Sequence, residues 1–212
     1  MKVNFVNYPK AYQSIKQEID EAIQRCLSNG DLILRKDVED FEDSLAQYAG
    51  AKYGVSVMSC SDALFLCCLY KKVKEVTIPK YTYPSVAMGI IHAGGKVRFS
   101  NRKWKAIYEL EPYKIIDGAL RFKKGMYVKG RLHCLSFHLK KNLPIGRGGM
   151  ILTDSENAYN WLIKARFDGR TEGVPPNKDN FTILGWNMYM SPDTAARGLW
   201  LFDMVKKRNI PD

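Results

Sequence analysis

The stretch "YGVSVMSCSDALFLCCLYKKVKEVTIP", residues 53–79, decides the fold class. It begins with a short run typical of a strand, residues 53–58, and continues with an apolar stretch that we predict to be a helix beginning at Ser61. Residues 75–78, "EVTI", return to strand character. Two strands joined by a helix form the crossover unit of parallel sheets, so the stretch predicts an α/β fold.

The same alternation extends outward on both sides. Before the stretch, apolar residues at helical spacing predict two helices, one ending at Asn29–Gly30 and one near Gly50. After it, strands are predicted at residues 96–99, 113–117, 131–137 and 148–153, and helices at residues 85–95, 155–167 and 191–208. We therefore predict a three-layer α/β/α fold with a mainly parallel sheet, and a single domain over residues 1–212.

Composition limits the function classes. The chain has 212 residues, of which 46% are hydrophobic, enough to build a core. No apolar run approaches a membrane span and the first residues lack the apolar core of a signal peptide, so we expect no membrane partner and a cytoplasmic location. Five cysteines without a C-x-x-C pair predict free thiols rather than disulfides or a metal site.

The net charge of +11 is compatible with a nucleic-acid partner, with a phosphorylated ligand, or with a basic surface that has no specific role. The lysines and arginines are scattered along the chain, and no basic helix or RNA-recognition motif gathers them. The distribution therefore disfavours nucleic acid.

Ligands of open α/β sheets bind at the carboxyl ends of the strands, so functional residues are expected in the strand-to-helix turns. The first, "MSCSDAL" (residues 58–64), leads directly into a helix. Its backbone N–H groups predict either an anion site or an ordinary N-cap at Ser61. The second, "IPKYTYPS" (residues 78–85), offers Tyr81 and Tyr83, either of which could stack on a planar ligand.

Two further turns carry charged side chains. Asp117 ends an apolar strand, and its carboxylate needs a partner such as a structural arginine, a metal or a protonated ring nitrogen. "LSFHLKKNLPIGRGG", residues 135–149, contains Lys140 and Lys141. A lysine held among apolar neighbours is a nucleophile toward carbonyls, whereas an exposed one is an ordinary surface charge.

Together the four turns match one ligand, pyridoxal 5′-phosphate. Its aldehyde forms a Schiff base with a lysine, and its ring nitrogen pairs with an acidic residue. Its ring is commonly covered by an aromatic side chain, and its phosphate suits a helix N-terminus. Each turn alone also has a purely structural explanation.

The order of six segments resembles the DegT/DnrJ/EryC1/StrS family of PLP-dependent sugar aminotransferases, which have the aspartate-aminotransferase-like fold (fold type I). Three of the segments are particularly close to family motifs: "SCSDAL" to "SGTdAL", "KIIDGA" to "viEDaA", and "LSFHLKKNLPIGRGG" to "fSFh.tKnl..geGG". The segments fall at residues 38–64, 77–99, 114–119, 135–153, 166–170 and 184–208.

The resemblance implies roles for individual residues. Lys141 would form the Schiff base and act as general base, while Lys140 falls where a small hydroxyl residue is usual. Asp117 would pair with the pyridinium nitrogen, and Tyr83 would stack on the ring.

The remaining implied roles concern the phosphate. Ser61 and Ser136, with the backbone around Cys60, would bind it. Asn187 matches an asparagine that reaches the phosphate from a partner subunit, which implies a homodimer with shared active sites.

The resemblance also implies a reaction. An amino acid donor, L-glutamate or a similar compound, would give its amino group to a nucleotide-linked keto sugar, a step of polysaccharide biosynthesis. Because a minor branch of the family that dehydrates sugars has histidine in place of the lysine, Lys141 favours amino transfer.

The chain departs from the family at several positions. Cys60 and Ser61 replace a glycine and a threonine, Leu120 replaces a glutamine that helps to hold the ring hydroxyl, and Tyr189 replaces an arginine. The segment between "KVRF" and "KIID" is shorter than in the family, and we expect the family's small C-terminal domain to be absent. These departures leave two alternatives open: a degenerate, non-catalytic or partner subunit, and a basic nucleic-acid binder on the same fold.

Overall fold

A computed structural model describes Gln13, residues 16–28 and residues 36–207. Most of the predicted first helix is present, but Tyr12, Ile15 and the predicted stop at Asn29–Gly30 lie outside the described residues. The elements follow in the order α1 (Lys16–Ser28), α2 (Lys36–Ala49), β1 (Tyr53–Val57), α3 (Cys60–Tyr70), β2 (Glu75–Pro79), α4 (Pro84–His92), β3 (Lys96–Ser100), β4 (Tyr108–Leu110), β5 (Ile115–Asp117), β6 (Leu132–Ser136), β7 (Gly149–Thr153), α5 (Glu156–Ala165), a 3-10 turn (Pro176–Lys178) and α6 (Pro192–Val205).

The main sheet has the strand order β1-β7-β6-β5-β4, and β2 and β3 form a separate parallel pair. The α/β class is confirmed, but the prediction of a mainly parallel sheet is wrong. Within the described residues, β5–β6 is parallel, whereas β1–β7, β6–β7 and β4–β5 are antiparallel. A backbone bridge between Thr77 and Glu111 connects the parallel pair to the end of β4.

The connections account for the directions of two antiparallel pairs, β4–β5 and β6–β7. A parallel neighbour requires a crossover that spans the sheet, usually a helix. Residues 111–114 join β4 to β5, and residues 137–148 join β6 to β7, in both cases without a helix. The chain therefore turns back and lays the next strand antiparallel. The sequence pattern identified the strands but gave no information about these reversals.

Two hydrophobic clusters fill the space on the two faces of the sheet. One combines strand residues such as Val55 and Ile151 with α3, α4 and α5. The other combines Met150 and Leu152 with α2 and α6. Because Met150, Ile151 and Leu152 alternate between the two clusters, β7 is covered on both faces, which is the predicted three-layer arrangement.

The buried cysteines belong to the first cluster. Cys60, Cys67, Cys68 and Cys134 are buried free thiols, as predicted, whereas the side chain of Cys26 lies outside the described part of the chain. No helix in the described ranges is long and apolar enough to cross a bilayer.

A buried ion pair connects α2 to the end of α5. The Arg166 side chain is 2% exposed and its guanidinium contacts the buried carboxylate of Glu42. The Ser56 N–H and hydroxyl donate to the same carboxylate at 2.7 and 2.6 Å, and Arg166 Nη2 contacts Glu172 Oε1 at 3.1 Å. This network fixes both outer layers to β1.

Removing one partner of this network has a predictable cost. We expect Glu42→Ala to lower the free energy of unfolding by about 3–5 kcal/mol, because it leaves the Arg166 charge buried without its main counterion. Urea denaturation followed by circular dichroism measures the change. Asp40→Ala is the control, since the Asp40 pair with Lys36 on the same helix is solvent-exposed. Equal denaturation midpoints for the two variants would contradict the prediction.

Candidate active site

A cavity of about 910 Å³ lies where the carboxyl ends of β5 and β6 meet the N-termini of α3 and α4. Six of the seven residues that the sequence suggested line it: Cys60, Ser61, Tyr83, Asp117, Ser136 and Lys141. These residues come from four separate segments of the chain, so the fold brings them together. The cavity is also lined by residues that sequence reasoning did not select: Thr82, Ser85, Trp104, Tyr108 and Arg147.

The N-terminus of α3 forms one end of the cavity. The N-cap is Ser59 and not Ser61 as predicted: the Ser59 side chain accepts from the Asp62 N–H at 3.2 Å and donates to the Asp62 carboxylate at 2.8 Å. The N-cap therefore lies two residues before the predicted one, because Ser59 and Asp62 have the spacing of a reciprocal cap. Cys60 and Ser61 then occupy the first turn.

With the N-cap at Ser59, backbone N–H donors of the first turn lie at the open end of α3. Within the described residues, the backbone N–H groups of Cys60 and Ser61 have no hydrogen-bond acceptor. The Ser61 hydroxyl lies 2.6 Å from the Ser85 hydroxyl on α4. Free N–H groups, hydroxyls and the positive end of the helix dipole together form an anion site.

Gly149, at the start of β7, packs directly against this helix end. A Cβ atom at Gly149 would lie 2.4 Å from the Ser59 carbonyl carbon and 2.6 Å from the Cys60 nitrogen. Because Gly149 has no side chain, the β7 backbone can lie directly against the helix end that forms the anion site. The "GG" that ends the 135–149 stretch therefore has a steric role in the site.

Asp117 is the acid at the centre of the cavity. It ends β5, is 6% exposed, and accepts from Tyr108 Oη at 2.5 Å and from the Ala119 N–H at 2.9 Å. Burial raises the pKa of its carboxyl above the ordinary value, whereas these hydrogen bonds and the Lys141 charge act in the opposite direction. The sequence predicted that the Asp117 carboxylate has a partner, but it did not indicate that this partner is Tyr108.

The two lysines of the 137–148 loop differ in placement. Lys141 is half-buried, and its N–H donates to the His138 carbonyl in a turn. Its ammonium is close enough to affect the pKa values of both Asp117 and Cys60. Lys140 also reaches the cavity but is exposed, and its N–H donates to His138 Nδ1 at 3.3 Å.

Aromatic side chains form the cavity mouth. Tyr83 precedes Pro84 at the start of α4 and is 75% exposed, whereas Tyr81 is 89% exposed and does not line the cavity. Trp104 packs on Tyr108 with ring centroids 4.8 Å apart. Tyr83 is thus placed to cover a ligand in the cavity, and Trp104 forms another part of the wall.

Two predicted positions differ from the rest of the site. Asn187 is exposed, lies outside the cavity of its own chain, and donates to Asp168 Oδ2 at 3.2 Å. Its contact with a partner's phosphate therefore stays a prediction. Leu120, at the position of the family glutamine, lines the cavity as a 48% exposed apolar side chain.

The donor set fits pyridoxal phosphate. The helix end offers free N–H groups and hydroxyls for the phosphate, Asp117 offers a buried carboxyl for a ring nitrogen, and Lys141 offers an amine for the aldehyde. No metal-binding group of three or more His, Cys, Asp or Glu side chains occurs in the part of the chain that the structure describes.

Comparison with known proteins agrees with this arrangement. The model of the DegT/DnrJ/EryC1/StrS aminotransferase family matches residues 13–115 and 124–209. A UDP-2-acetamido-2-deoxy-3-oxo-D-glucuronate aminotransferase of Pseudomonas aeruginosa is 35% identical over 169 residues, which cover 77% of this chain and 46% of the relative. The spore coat polysaccharide biosynthesis protein SpsC of Bacillus subtilis is 25% identical, with 89% and 56% covered. The chain thus spans about half the length of these relatives.

Solved structures show the same fold at low sequence identity. A DegT/DnrJ/EryC1/StrS aminotransferase from Brucella abortus superposes with a TM-score of 0.81 at 17% identity, covering 97% of this chain and 68% of that structure. NtdA from Bacillus subtilis, solved with bound cofactor PMP, has a TM-score of 0.77 at 20% identity, with 92% and 54% covered. The predicted fold type I architecture is thereby confirmed.

Proposed function

The chain belongs to the DegT/DnrJ/EryC1/StrS aminotransferase family, and on that premise we propose that it is a PLP-dependent aminotransferase acting on a nucleotide-linked keto sugar. One observation carries the proposal: a half-buried lysine, a buried aspartate and a helix end with free N–H groups share one cavity. A surface lysine and a structural acid would have no reason to converge on an anion site.

Each of these residues has a role that follows from its position. Pyridoxal phosphate, when bound, supplies an aldehyde that takes up an amino group and a ring that withdraws electrons. Lys141 binds it covalently through Nζ and serves as general base, taking up and returning a proton at that atom. Asp117, as a carboxylate, holds a proton on the ring nitrogen, and Tyr83 covers the ring. The N–H groups of Cys60 and Ser61, with the Ser61 and Ser136 hydroxyls, bind the phosphate.

Charge at the cavity mouth supports the choice of acceptor. Lys140 and Arg147 are exposed at the rim and carry positive charge, as does the molecule as a whole. The diphosphate of a nucleotide-linked sugar is dianionic, so such a rim attracts it by long-range electrostatics. The names of several relatives specify UDP- or dTDP-linked sugars. L-glutamate is the proposed amino donor, and polysaccharide biosynthesis the proposed context.

A homodimer completes the proposed site. Asn187 is exposed and does not line the cavity of its own chain, which is the placement expected of a residue that reaches the phosphate of a partner subunit. A cytoplasmic location is part of the same proposal.

Leu120 favours a second candidate function. An apolar side chain at the position of the family glutamine gives the ring hydroxyl no hydrogen-bond partner, as expected of a degenerate subunit that binds the cofactor weakly. Leu120→Gln should strengthen cofactor binding in either case. If the native chain is the enzyme, both chains transfer amino groups; if it is the degenerate subunit, turnover appears only in the variant.

A spectroscopic titration tests the proposed function. Addition of pyridoxal phosphate to the purified chain is expected to produce a visible absorbance band that saturates at one equivalent per chain. Addition of L-glutamate should then remove the band and release 2-oxoglutarate, measured by mass spectrometry. A chain that takes up no pyridoxal phosphate would exclude the proposal, and uptake without release of 2-oxoglutarate would favour the degenerate subunit.

A further inference from the structure

Tyr108 contacts the central acid but has no role in the function proposed above. It is 5% exposed, and its Oη lies 2.5 Å from Asp117 Oδ2. The two residues are direct partners in the antiparallel register of β4 and β5. Side chains of directly opposed residues lie on the same face of a sheet, so this contact is imposed by the backbone and not by a flexible side chain.

The surroundings of Asp117 make this hydroxyl important. The other carboxylate oxygen accepts from the Ala119 N–H at 2.9 Å. The remaining groups that act on the acid are the Lys141 ammonium from the 137–148 loop and two buried thiols, Cys60 on α3 and Cys134 on β6. The thiols remain neutral, because burial raises their pKa values. Tyr108 is therefore the side-chain donor in direct contact with the carboxylate.

Tyr108 is itself held in place. The Trp104 ring packs on the phenol, and Thr82 lies near enough to the Tyr108 hydroxyl to act on its pKa. Trp104 is fixed in turn, since its Nε1 donates to the Tyr81 carbonyl at 3.0 Å. Burial and the neighbouring Asp117 charge raise the pKa of the phenol, so it keeps its proton and remains a donor. Trp104 and Thr82 thus surround the phenol whose hydroxyl donates to the acid.

We propose that Tyr108 is a positioning residue, whose hydroxyl orients the Asp117 carboxylate toward the cofactor ring nitrogen and stabilises its ionised form. The inference rests on the proposed function for the cofactor, but the contact between the two side chains does not. Tyr108 transfers no proton and touches no reacting atom in this scheme. It lies in the segment that is shorter than in the family, so the local structure of this chain supplies the orientation of its acid.

Titration of Asp117 in the full chain without cofactor tests the contact directly. In a chain labelled with [4-¹³C]aspartate, Asp117→Asn assigns the Asp117 carboxyl signal. Tyr108→Phe is expected to move the titration midpoint of that signal to higher pH, because a hydrogen bond to the charged form is lost. Thr82→Val should move it in the same direction by less. Tyr127→Phe, which removes a hydroxyl that donates to the Arg131 carbonyl at 2.9 Å, should leave it unchanged.

Cofactor binding gives a second readout. Tyr108→Phe is expected to weaken pyridoxal phosphate binding by roughly tenfold or more, since a hydrogen bond to a charged group is lost. On an Asp117→Asn background, Tyr108→Phe should weaken it no further, because Tyr108 acts through the acid.

The outcomes separate the two proposals. An Asp117 midpoint that stays the same in both Tyr108→Phe and Thr82→Val would overturn the role of Tyr108, as would additive losses of binding on the Asp117→Asn background. If Tyr108→Phe does not fold, Thr82→Val carries the test alone. A moved midpoint in a chain that takes up no pyridoxal phosphate would uphold the coupling of Tyr108 to Asp117 and overturn the proposed function.

Discussion

Lys141→Ala is expected to abolish covalent attachment of pyridoxal phosphate and to reduce amino transfer by at least about 10³-fold. The variant loses both the amine that binds the aldehyde and the general base at the same atom, and general base catalysis alone contributes roughly 10²–10⁴-fold. Borohydride reduction of the loaded chain, followed by peptide mass spectrometry, should locate the adduct at residue 141. Fold stability should change little, because Lys141 forms no hydrogen bond through its side chain with another residue in the described part of the chain.

Lys140→Ala is the matched control for this experiment. Lys140 is adjacent in sequence and has the same side chain, but it is exposed at the cavity rim. We expect it to leave the adduct intact and to weaken only the binding of the anionic acceptor, in a manner that depends on salt. An adduct found on Lys140, or one retained in Lys141→Ala, would refute the assignment of the two lysines.

Asp117→Asn is expected to have a comparably large effect on amino transfer, about 10³-fold, while making the chain without cofactor more stable near neutral pH. The amide cannot hold a proton on the ring nitrogen, so activity falls. The stability effect has the opposite sign for a separate reason. Burial of the carboxyl raises its pKa in the folded state above the value in the unfolded chain.

The pH dependence follows from that direction. Between the ordinary and the raised pKa, the folded state binds more protons than the unfolded state, so stability falls as pH rises through this window. Asp117→Asn removes the titration and should remove this decline. Thermal unfolding of both chains between pH 3 and pH 8 measures it. A variant that is less stable than the native chain at neutral pH would contradict the prediction.

Much of the site could be predicted from sequence because its residues stand where strands end. Asp117 follows two isoleucines, so the apolar pattern itself indicated its position, whereas Ser136, the last residue of β6, was selected through the resemblance to a family. The resemblance to a family then identified Lys141 in a loop that has no periodicity. The anion site was found in the right turn but two residues from its true start, because a serine stands at both 59 and 61 and the pattern does not distinguish them.

What could not be predicted depended on contacts between distant segments. β4, residues 108–110, is too short for an alternating pattern to identify, and its direction is set by a reversal of the chain. The sequence therefore did not distinguish Tyr108 from the other tyrosines, although its hydroxyl donates to Asp117. The buried pair of Glu42 and Arg166 was hidden for the same reason, since its partners are far apart in sequence.

Because of the register of the β4–β5 hairpin, the site is far more sensitive to insertions and deletions in the connecting turn than to substitutions there. One residue added within residues 111–114, with β5 held by β6, would bring Glu109 opposite Asp117 in place of Tyr108. A donor would then be exchanged for a second carboxylate, and two like charges would face each other at the floor of the cavity. We therefore expect homologous chains with an acid at position 117 and the same hairpin to conserve the length of the turn. The residue types in the turn should vary.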